Sequence, residues 1–245
     1  MLASQSPDWL KDKYPHLAEF QAFSIDLPEG EIKQWLKHKL LVLVFDDKQQ
    51  AQQLSFVQTA AVIDELYTSG KNDANEVADL GATINPNSVS FKLWAPTAQK
   101  VTLLLFNQDK TPTKQVVLKE DTITGIWSTQ TGLEYASAFY QYRISVYHPT
   151  SKKVETLTTT DPYSLSLSTN SEHSQVANLS SHETLPAGWN QQKDNIINNP
   201  EDNIFYETHI RDFSAHDTTL SDASVRGKYK AFSEQNSDGI KHLRS

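Results

Sequence analysis

The alternation of apolar and polar positions is strongest in the middle of the chain. In the segment that begins at Ser88, apolar residues occupy every second position: Val89, Phe91 and Leu93. Successive side chains of a strand point to opposite faces, so this segment predicts a half-buried strand. The same theme, with turn residues between the segments, returns at 101–106, 116–118 and 140–146. Short strands at this spacing, without an intervening helical pattern, predict an immunoglobulin-like β-sandwich.

A different apolar pattern lies nearer the N-terminus. The continuous apolar run Leu40–Phe45 predicts a buried strand, and residues 54–63 supply a returning strand. Residues 8–70 are therefore predicted to form a small sandwich-like module. The segment Ile32–Leu40 also carries apolar residues at helical spacing, which leaves a short helix as the alternative there. The polar stretch Thr68–Glu76 contains turn and linker residues and marks a module boundary.

The composition changes after residue 163. Ser, Thr, Asn and Gln dominate as far as about residue 203, as is typical of a long crossing segment or linker. The segment Ile204–Ile210 then predicts a strand, and a helix is predicted to begin at Ser237–Asp238, where either residue can cap it. A strand followed by a helix is a βα unit. The predicted fold class is therefore mainly β, with two immunoglobulin-like β-sandwich modules followed by a βα unit.

Composition and charge exclude several classes of function. The 245 residues carry a net charge of -8 with no run of Lys or Arg, so the positive surface that nucleic-acid binding requires is missing. No window approaches 18 consecutive apolar residues, and the N-terminus lacks the pattern of a signal peptide, so no membrane span is predicted. The chain has no cysteine, which excludes disulfides and thiolate metal sites.

Glu207 and Asp212 are the first candidates for a pair of catalytic carboxylates. Five strand positions would separate them by about 16 Å, and their odd separation would point them to opposite faces. His209, Asp212 and Ser214 have the residue types of a hydrolytic triad, but neighbours on one extended segment do not converge as a triad requires. Arg211 and Asp212 are better interpreted as anchors of the end of the strand. No catalytic residue is therefore predicted within this chain.

Trp94 and Trp127 are the candidate glucan-binding residues, because a flat aromatic ring suits the apolar face of glucose. Both stand at strand ends or beside turns, where packing against the core is the stronger interpretation. The oxygen-rich clusters Asp46–Asp47 and Asn198–Asp202 carry ligand types that calcium accepts. Solvated turns explain these clusters better, and the eight histidines lack the helical i, i+4 spacing of a zinc site. The sequence predicts no metal or cofactor.

Several separated stretches together resemble one enzyme family, bacterial pullulanase of the α-amylase superfamily, glycoside hydrolase family 13. The stretch Phe91–Ala98 is shared by debranching and branching enzymes and resembles a starch-type carbohydrate-binding module. Pro7–Leu17 and Tyr206–Ser214 narrow the resemblance to pullulanase. Arg226–Tyr229 and Gly239–Leu243 continue it to the end of the chain. The resemblance is colinear and covers nearly the whole chain.

The resemblance implies an enzyme that hydrolyses α-1,6 branch points in pullulan, starch and glycogen with retention, through an Asp nucleophile and a Glu acid/base. Retention by that route requires two carboxyl groups about 5–5.5 Å apart. In the family these carboxylates lie at later strands of a (β/α)8 barrel. The catalytic residues are therefore expected C-terminal to Ser245, and this chain alone is expected to be inactive.

The resemblance also implies a domain order. The expected domains are an N-terminal pullulanase β-sandwich module, an immunoglobulin-like carbohydrate-binding module and the truncated start of the catalytic barrel, at 1–76, 85–185 and 200–245. Starch-binding members often carry a Trp after an Asn at one tip of the module, but the corresponding residues here, Asn107–Lys110, contain none.

The expected partners are an α-glucan, bound weakly or through the missing barrel, and the catalytic barrel of the full-length enzyme. Calcium is possible in the full-length family, without a site that can be assigned here. The expected localisation is extracellular or at the cell surface. The alternative function is a non-enzymatic α-glucan-binding or structural β-sandwich protein.

Overall fold

The computed structural model describes residues 2–4, 7–20, 22–185, 187–191 and 199–245, which divide into two compact units, Met1–Pro186 and Ala187–Ser245. The helices are α1 Asp8–Lys13, α2 Glu29–Trp35, α3 Ala60–Tyr67, α4 Ile210–Ser214 and α5 Asp238–Arg244. The strands are β1 Leu2–Ser4, β2 Ala22–Ser24, β3 Leu41–Phe45, β4 Ala51–Phe56, β5 Gly81–Asn85, β6 Ser88–Trp94, β7 Ala98–Phe106, β8 Pro112–Val117, β9 Lys119–Asp121, β10 Ile126–Thr131, β11 Phe139–His148, β12 Lys153–Thr159, β13 Ser166–Leu167 and β14 Ser174–Gln175. None of the helices in these ranges has both the length and the apolar character needed to cross a membrane.

Strands β5 to β14 form a sandwich of two antiparallel sheets. One sheet has the order β5-β6-β10-β9, and the other has the order β13-β14-β11-β7-β8. Strands β12 and β14 pair with the same edge of β11. Strand β14 pairs with the first two residues of β11, and β12 pairs with Tyr142 to His148 of β11. The predicted strands around Ser88, 101–106 and 140–146 are confirmed in β6, β7 and β11. The mainly β fold class is likewise confirmed.

The core of the sandwich lies between the two sheets and is rich in aromatic side chains. Phe91 and Tyr140 meet edge to face with their ring centroids 5.2 Å apart, and Tyr140 meets Tyr142 in the same way at 5.8 Å. Edge-to-face packing is favourable because the positive ring edge meets the negative ring face. The other buried apolar residues of this core are Val89, Leu93, Ala98, Val101, Leu103, Leu105, Leu118, Trp127 and Val176.

A buried polar cluster closes one side of this core. The Tyr140 hydroxyl donates to Asp161 Oδ2 at 2.8 Å, and the backbone N–H of Tyr163 donates to Asp161 Oδ1 at 2.9 Å. The backbone N–H of Asp161 donates to Ser174 Oγ at 2.8 Å. Burial raises the pKa of Asp161 above its usual range, although the hydrogen bonds from Tyr163 and Tyr140 act in the opposite direction. The cluster therefore satisfies a carboxyl group that is costly to ionise in the core.

The first module packs against the sandwich through helix α2 and the residues that follow it. Lys37 Nζ forms an ion pair with Glu120 Oε2 at 2.5 Å, and the two side chains are only 9% and 14% exposed. Lys33 Nζ donates to the carbonyl oxygen of Ile123 at 3.3 Å, and it also lies 4.6 Å from the centre of the Tyr67 ring. Burial, aided by the carboxylate of Glu120, raises the pKa of Tyr67 to about 12. Two buried lysines therefore fix the first module to the edge of the sandwich.

The contact between the first module and the sandwich also includes a close approach of the backbone at Gly125 to the ring of Tyr67. Gly125 has a φ of +68°, and a Cβ placed there would lie 2.7 Å from Pro96 Cβ and 3.0 Å from Tyr67 Cε1. A side chain at this position would therefore collide with Pro96 and with the ring of Tyr67. Only glycine combines the positive φ with this approach at no steric cost.

The first module differs from the predicted β-sandwich. Strands β3 and β4 form an isolated antiparallel hairpin, and the described residues of the module otherwise contain the β1–β2 pair and helices α1 to α3. The strand predicted at Leu40–Phe45 forms but is exposed rather than buried, since Leu43 and Phe45 are 49% and 50% exposed. The end of the predicted returning strand, residues 59–63, lies instead in the first turns of α3. The alternative helix at Ile32–Leu40 overlaps the observed α2.

The second unit has a small core of its own. Leu220, Val225 and Ala231 are buried together, and the rings of Phe213 and Phe232 stack with their centroids 4.4 Å apart. The predicted helix forms as α5, and the Ser237 hydroxyl caps it by accepting from the backbone N–H of Ile240 at 3.4 Å.

The prediction of a strand at Ile204–Ile210 is wrong. Residues 203–209 have no regular structure, and Ile210 is the first residue of α4. Ile204 and Phe205 are 95% and 89% exposed. The physical reason is that a strand needs a neighbour to satisfy its N–H and C=O groups, and no described segment pairs with this one.

The Lys37–Glu120 ion pair yields a first prediction. Lys37→Ala leaves the Glu120 carboxylate buried without its partner, and we expect the free energy of unfolding to fall by about 3 kcal/mol in urea denaturation. Lys119→Ala, an exposed change directly before Glu120 on the same strand β9, serves as the control and should shift it by less than about 0.5 kcal/mol. The double variant Lys37→Met/Glu120→Leu should recover most of the loss. Equal stability of Lys37→Ala and wild type would contradict the assigned role.

The raised pKa of Asp161 yields a second prediction. A carboxyl whose pKa is higher in the folded state contributes stability below its unfolded pKa, and this contribution is lost as pH rises through its folded pKa. The stability of wild type relative to Asp161→Asn should therefore decrease as pH rises from about 4 towards 7. Asp109 serves as the control, because hydrogen bonds from Thr111 hold its pKa below the usual range. The stability of wild type relative to Asp109→Asn should fall as pH is lowered instead.

Candidate functional site

The two predicted glucan-binding tryptophans lie at the edge of the core. Trp127 is only 6% exposed and donates from Nε1 to the carbonyl oxygen of Ala95 at 3.0 Å. Lys37 Nζ lies 5.6 Å from its ring centroid. Trp94 is half-buried and donates from Nε1 to the carbonyl oxygen of Thr124 at 3.0 Å. Both indole N–H groups thus hold the loops beside strands β6 and β10, and the assignment of glucan binding to these rings stays a prediction.

A polar groove crosses the outer face of the larger sheet. Its volume is about 280 Å³. We call it the sheet groove, and its lining residues come from β7, β8, β11 and β12: Lys100, Thr102, Gln115, Val117, Arg143, Ser145 and Thr156. These side chains stand on the outer face because their neighbours along the strands, such as Val101, Leu103 and Tyr142, point into the core.

The sheet groove offers hydrogen-bond donors and acceptors in one row. Arg143 Nη1 donates to Gln115 Oε1 at 3.4 Å, and the hydroxyls of Ser145 and Thr156 lie 3.0 Å apart. Lys100 adds an ammonium group to the lining. Hydroxyl and amide groups both donate and accept, so this surface can hydrogen-bond a neutral ligand with many hydroxyl groups. Its lining includes no aromatic ring on which a sugar could stack.

A second, shallower depression of about 180 Å³ continues the groove towards one tip of the module. It shares Gln115 and Arg143 with the sheet groove and adds Gln141 and Phe106. The tip itself, Asn107–Lys110, is closed by the backbone N–H of Asn107, which donates to the carbonyl oxygen of Thr111 at 3.1 Å, and by the backbone N–H of Thr111, which donates to Asn107 Oδ1 at 2.9 Å. Together the two depressions form a strip along β7, β8 and β11 that is polar in the sheet groove and partly apolar towards Leu104, Phe106 and Pro112.

The remaining candidate residues do not converge on a site. His209 Nδ1 lies 3.7 Å from Asp212 Oδ2, with both side chains more than 70% exposed, whereas Ser214 is buried and its Oγ accepts from the backbone N–H of Gly227 at 2.9 Å. Glu207 lies in the irregular segment before α4 and is exposed.

The predicted oxygen clusters are turns where the structure describes them. Asp46 Oδ1 accepts from the backbone N–H groups of Lys48 and Gln50 in the β3–β4 turn. In the other cluster, Asn199 Nδ2 donates to Asp202 Oδ2 at 3.1 Å, while Asn198 lies outside the described residues. Over the described ranges, no group of three or more His, Asp or Glu side chains has a metal-binding arrangement.

The sheet groove was missed in the sequence although its signal is present. The alternation that predicts β7 and β11 assigns Lys100, Arg143 and Ser145 to the outer face. An outward polar residue is ordinary on a half-solvated sheet. Only the side-by-side pairing of β8, β7, β11 and β12 shows that these residues form one groove.

Comparison with known families decides what these domains are. The family model of carbohydrate-binding module 48 (isoamylase N-terminal domain) matches residues 79–164, and that of the pullulanase N2 domain matches residues 2–65. The chain carries the N-terminal domains of pullulanases. The sheet groove therefore lies on carbohydrate-binding module 48, and the docking helix α2 belongs to the pullulanase N2 domain.

Individual relatives agree with these matches. The chain is 35% identical over 236 residues to pullulanase 1, chloroplastic, of Arabidopsis thaliana, covering 95% of this chain and 23% of that protein. It is also 35% identical over 238 residues to the pullulanase of Klebsiella pneumoniae, covering 95% of this chain and 21% of that protein. The crystal structure of Klebsiella pneumoniae pullulanase complexed with maltotriose superposes with a TM-score of 0.87 at 33% identity, over 99% of this chain and 23% of that one.

The chain thus spans less than a quarter of the length of these relatives. It is homologous to the N-terminal region of pullulanases, and the resemblance predicted from the sequence is confirmed.

The buried position of Trp127 on carbohydrate-binding module 48 yields a third prediction. Trp127→Ala removes a core side chain together with its hydrogen bond to Ala95, and should lower the free energy of unfolding by about 3–5 kcal/mol. Trp9→Ala serves as the control, because Trp9 is 64% exposed, and it should change stability by less than about 0.5 kcal/mol. Thermal or urea denaturation measures both. A Trp127→Ala variant as stable as wild type would show that the ring does not pack in the core.

Proposed function

We propose that this chain is the accessory, α-glucan-contacting part of a pullulanase-type glycoside hydrolase that cleaves α-1,6-glucosidic branch points. One observation carries the proposal: the sheet groove, with its row of hydrogen-bonding side chains, lies within the residues matched to carbohydrate-binding module 48. The maltotriose complex of the structurally similar Klebsiella pneumoniae enzyme supports an α-glucan as the ligand class.

The groove suits a glucan by its hydrogen-bonding chemistry. Glucose hydroxyls donate and accept, and the side chains of Arg143, Gln115 and Thr156 supply matching partners along a face of the sheet. These hydrogen bonds replace others made to water, so each contributes only about 0.5–1.5 kcal/mol. The groove also lacks an aromatic platform, which would add apolar contact. Binding to the isolated chain should therefore be weak, with a Kd no tighter than about 1 mM, or roughly 4 kcal/mol.

The proposed division of labour leaves the chemistry to another part of the enzyme. Retaining hydrolysis requires two carboxyls about 5–5.5 Å apart across the scissile bond. The sheet groove includes no carboxylate, and the carboxylates considered from the sequence, Glu207 and Asp212, lie in exposed positions of the second unit. We therefore expect no hydrolysis by this chain alone. A polymeric substrate also favours secretion or cell-surface display of the enzyme, which remains a prediction.

A fourth prediction tests the groove. In a titration with maltoheptaose followed by NMR, the backbone amides of β7, β8 and β11 should shift with a Kd of about 1 mM or weaker. Arg143→Ala should weaken binding by at least about threefold, since it removes one charged donor. The exposed turn variant Lys71→Ala provides the control and should bind as wild type does.

Two results would contradict the proposal. One is micromolar affinity that Arg143→Ala leaves unchanged, and the other is the absence of any shift at β7, β8 and β11 at saturating maltoheptaose. Incubation of the same preparation with pullulan should release no reducing sugar above a buffer blank.

A further inference from the structure

A second cleft lies where the pullulanase N2 domain meets the sandwich. We call it the inter-module cleft, and its volume is about 560 Å³, which is within the range of small-molecule sites. The N2 domain contributes the residues after α2, the end of β4 and the start of α3, while the sandwich contributes Thr97, Val146, Tyr147, Pro149 and Lys152. The cleft and the sheet groove adjoin on strand β11, where Ser145 lines the groove and Val146 lines the cleft, but the two lining sets share no residue.

The charge of the inter-module cleft is opposite to that of the chain. Lys39, Lys152 and His38 line it, and its lining contains no Asp or Glu, although the whole chain carries a net charge of -8. Within the described ranges, neither lysine has a carboxylate within ion-pair distance. Two uncompensated ammonium groups in one cleft attract an anion.

The rest of the lining suits a ring-shaped ligand with a polar edge. Lys39 Nζ lies over the face of the Phe56 ring, 3.9 Å from its centroid, and this cation–π contact holds the ammonium group at the cleft. The apolar part of the lining includes Leu36, Leu40, Val57, Ile63 and Val146. Gln58, Thr59 and Thr97 add hydrogen-bonding groups. Gln99 Nε2 lies 3.4 Å from His38 Nδ1, which orients the imidazole beside the cleft.

We propose that the inter-module cleft binds a phosphorylated glucose unit, with the phosphate on Lys39 and Lys152 and the apolar face of the sugar against the aliphatic residues. A compact ammonium group is a suitable phosphate partner. The aliphatic lining offers the apolar surface that a pyranose ring covers. The choice of a sugar as the body of the ligand rests on the proposed α-glucan function, whereas the choice of an anion rests on the charge of the cleft.

The test is a titration of the full 245-residue chain with glucose 6-phosphate at low ionic strength, followed by NMR. Glucose 6-phosphate should bind at least about tenfold more tightly than glucose, because each charge-assisted hydrogen bond is worth about one such factor. Lys39→Gln and Lys152→Gln should each weaken binding by about tenfold. Lys48→Gln, in the exposed β3–β4 turn, removes the same charge outside the cleft and should leave the affinity unchanged.

The controls separate the inference from its alternatives. Inorganic phosphate and octanoate are titrated in parallel, and glucose 6-phosphate should bind more tightly than either. Equal affinity for glucose and glucose 6-phosphate, tighter binding of octanoate or phosphate, or an equal loss in Lys48→Gln would each overturn the proposal. If the chain binds maltoheptaose but not glucose 6-phosphate, the result contradicts the proposed cleft site and leaves the proposed function standing. A chain that binds glucose 6-phosphate in the cleft but not maltoheptaose supports the cleft and contradicts the proposed function.

Discussion

The ion pair between Lys37 and Glu120 is the contact on which the arrangement of the first unit depends. In the described part of the pullulanase N2 domain, Leu36 is the one buried apolar side chain, and Tyr67 and Ala74 are buried just after the domain. A module with so little apolar burial gains little hydrophobic stabilisation of its own. Its two buried lysines, Lys33 and Lys37, instead find their partners partly on the sandwich, at the carbonyl oxygen of Ile123 and at Glu120. The N2 domain is therefore an extension of the sandwich core rather than an independent body.

The same contact decides which surfaces remain open to a ligand. Lys37, which follows the docking helix, lies beside the ring of Trp127, so its ammonium group occupies space in which a sugar would have to stack on that ring. The outer face of the larger sheet stays open, because the N2 domain packs on the edge formed by β9 and the loop before β10. Docking also brings Lys39 and Phe56 beside Val146 and Tyr147, which creates the inter-module cleft. One buried ion pair thus covers the ring of Trp127, shapes the inter-module cleft and leaves the sheet groove open.

The parts of the fold that were predictable from the sequence are those where local pattern and tertiary environment agree. In β6, the alternating residues Val89, Phe91 and Leu93 are all at most 3% exposed, as their spacing indicates. The Ser237 cap was also predictable, because capping is a local hydrogen bond between residues three positions apart. Strand β3 shows the limit of this reasoning, since its apolar run predicts the strand but cannot reveal that no second sheet covers it. The strand prediction at Ile204–Ile210 fails for the same reason, because a strand requires a pairing partner, and that partner can lie anywhere in the sequence.

The candidate sites were less predictable, because each is a property of several strands or modules at once. Arg143, Gln115 and Thr156 belong to three strands whose pairing brings them side by side, and each alone is an unremarkable outward polar residue. Predicting the inter-module cleft would also require knowing how the two domains pack, because Lys39 and Lys152 come from different domains and carry no shared motif. The two sites share no lining residue, so a change at Lys39 or Lys152 should affect binding in the cleft far more than binding in the sheet groove. Substitutions of Lys37 or Glu120 have a different effect from substitutions within either site. They act on the position of the N2 domain, and so they reach the inter-module cleft but not the sheet groove, whose residues all lie on the sandwich itself.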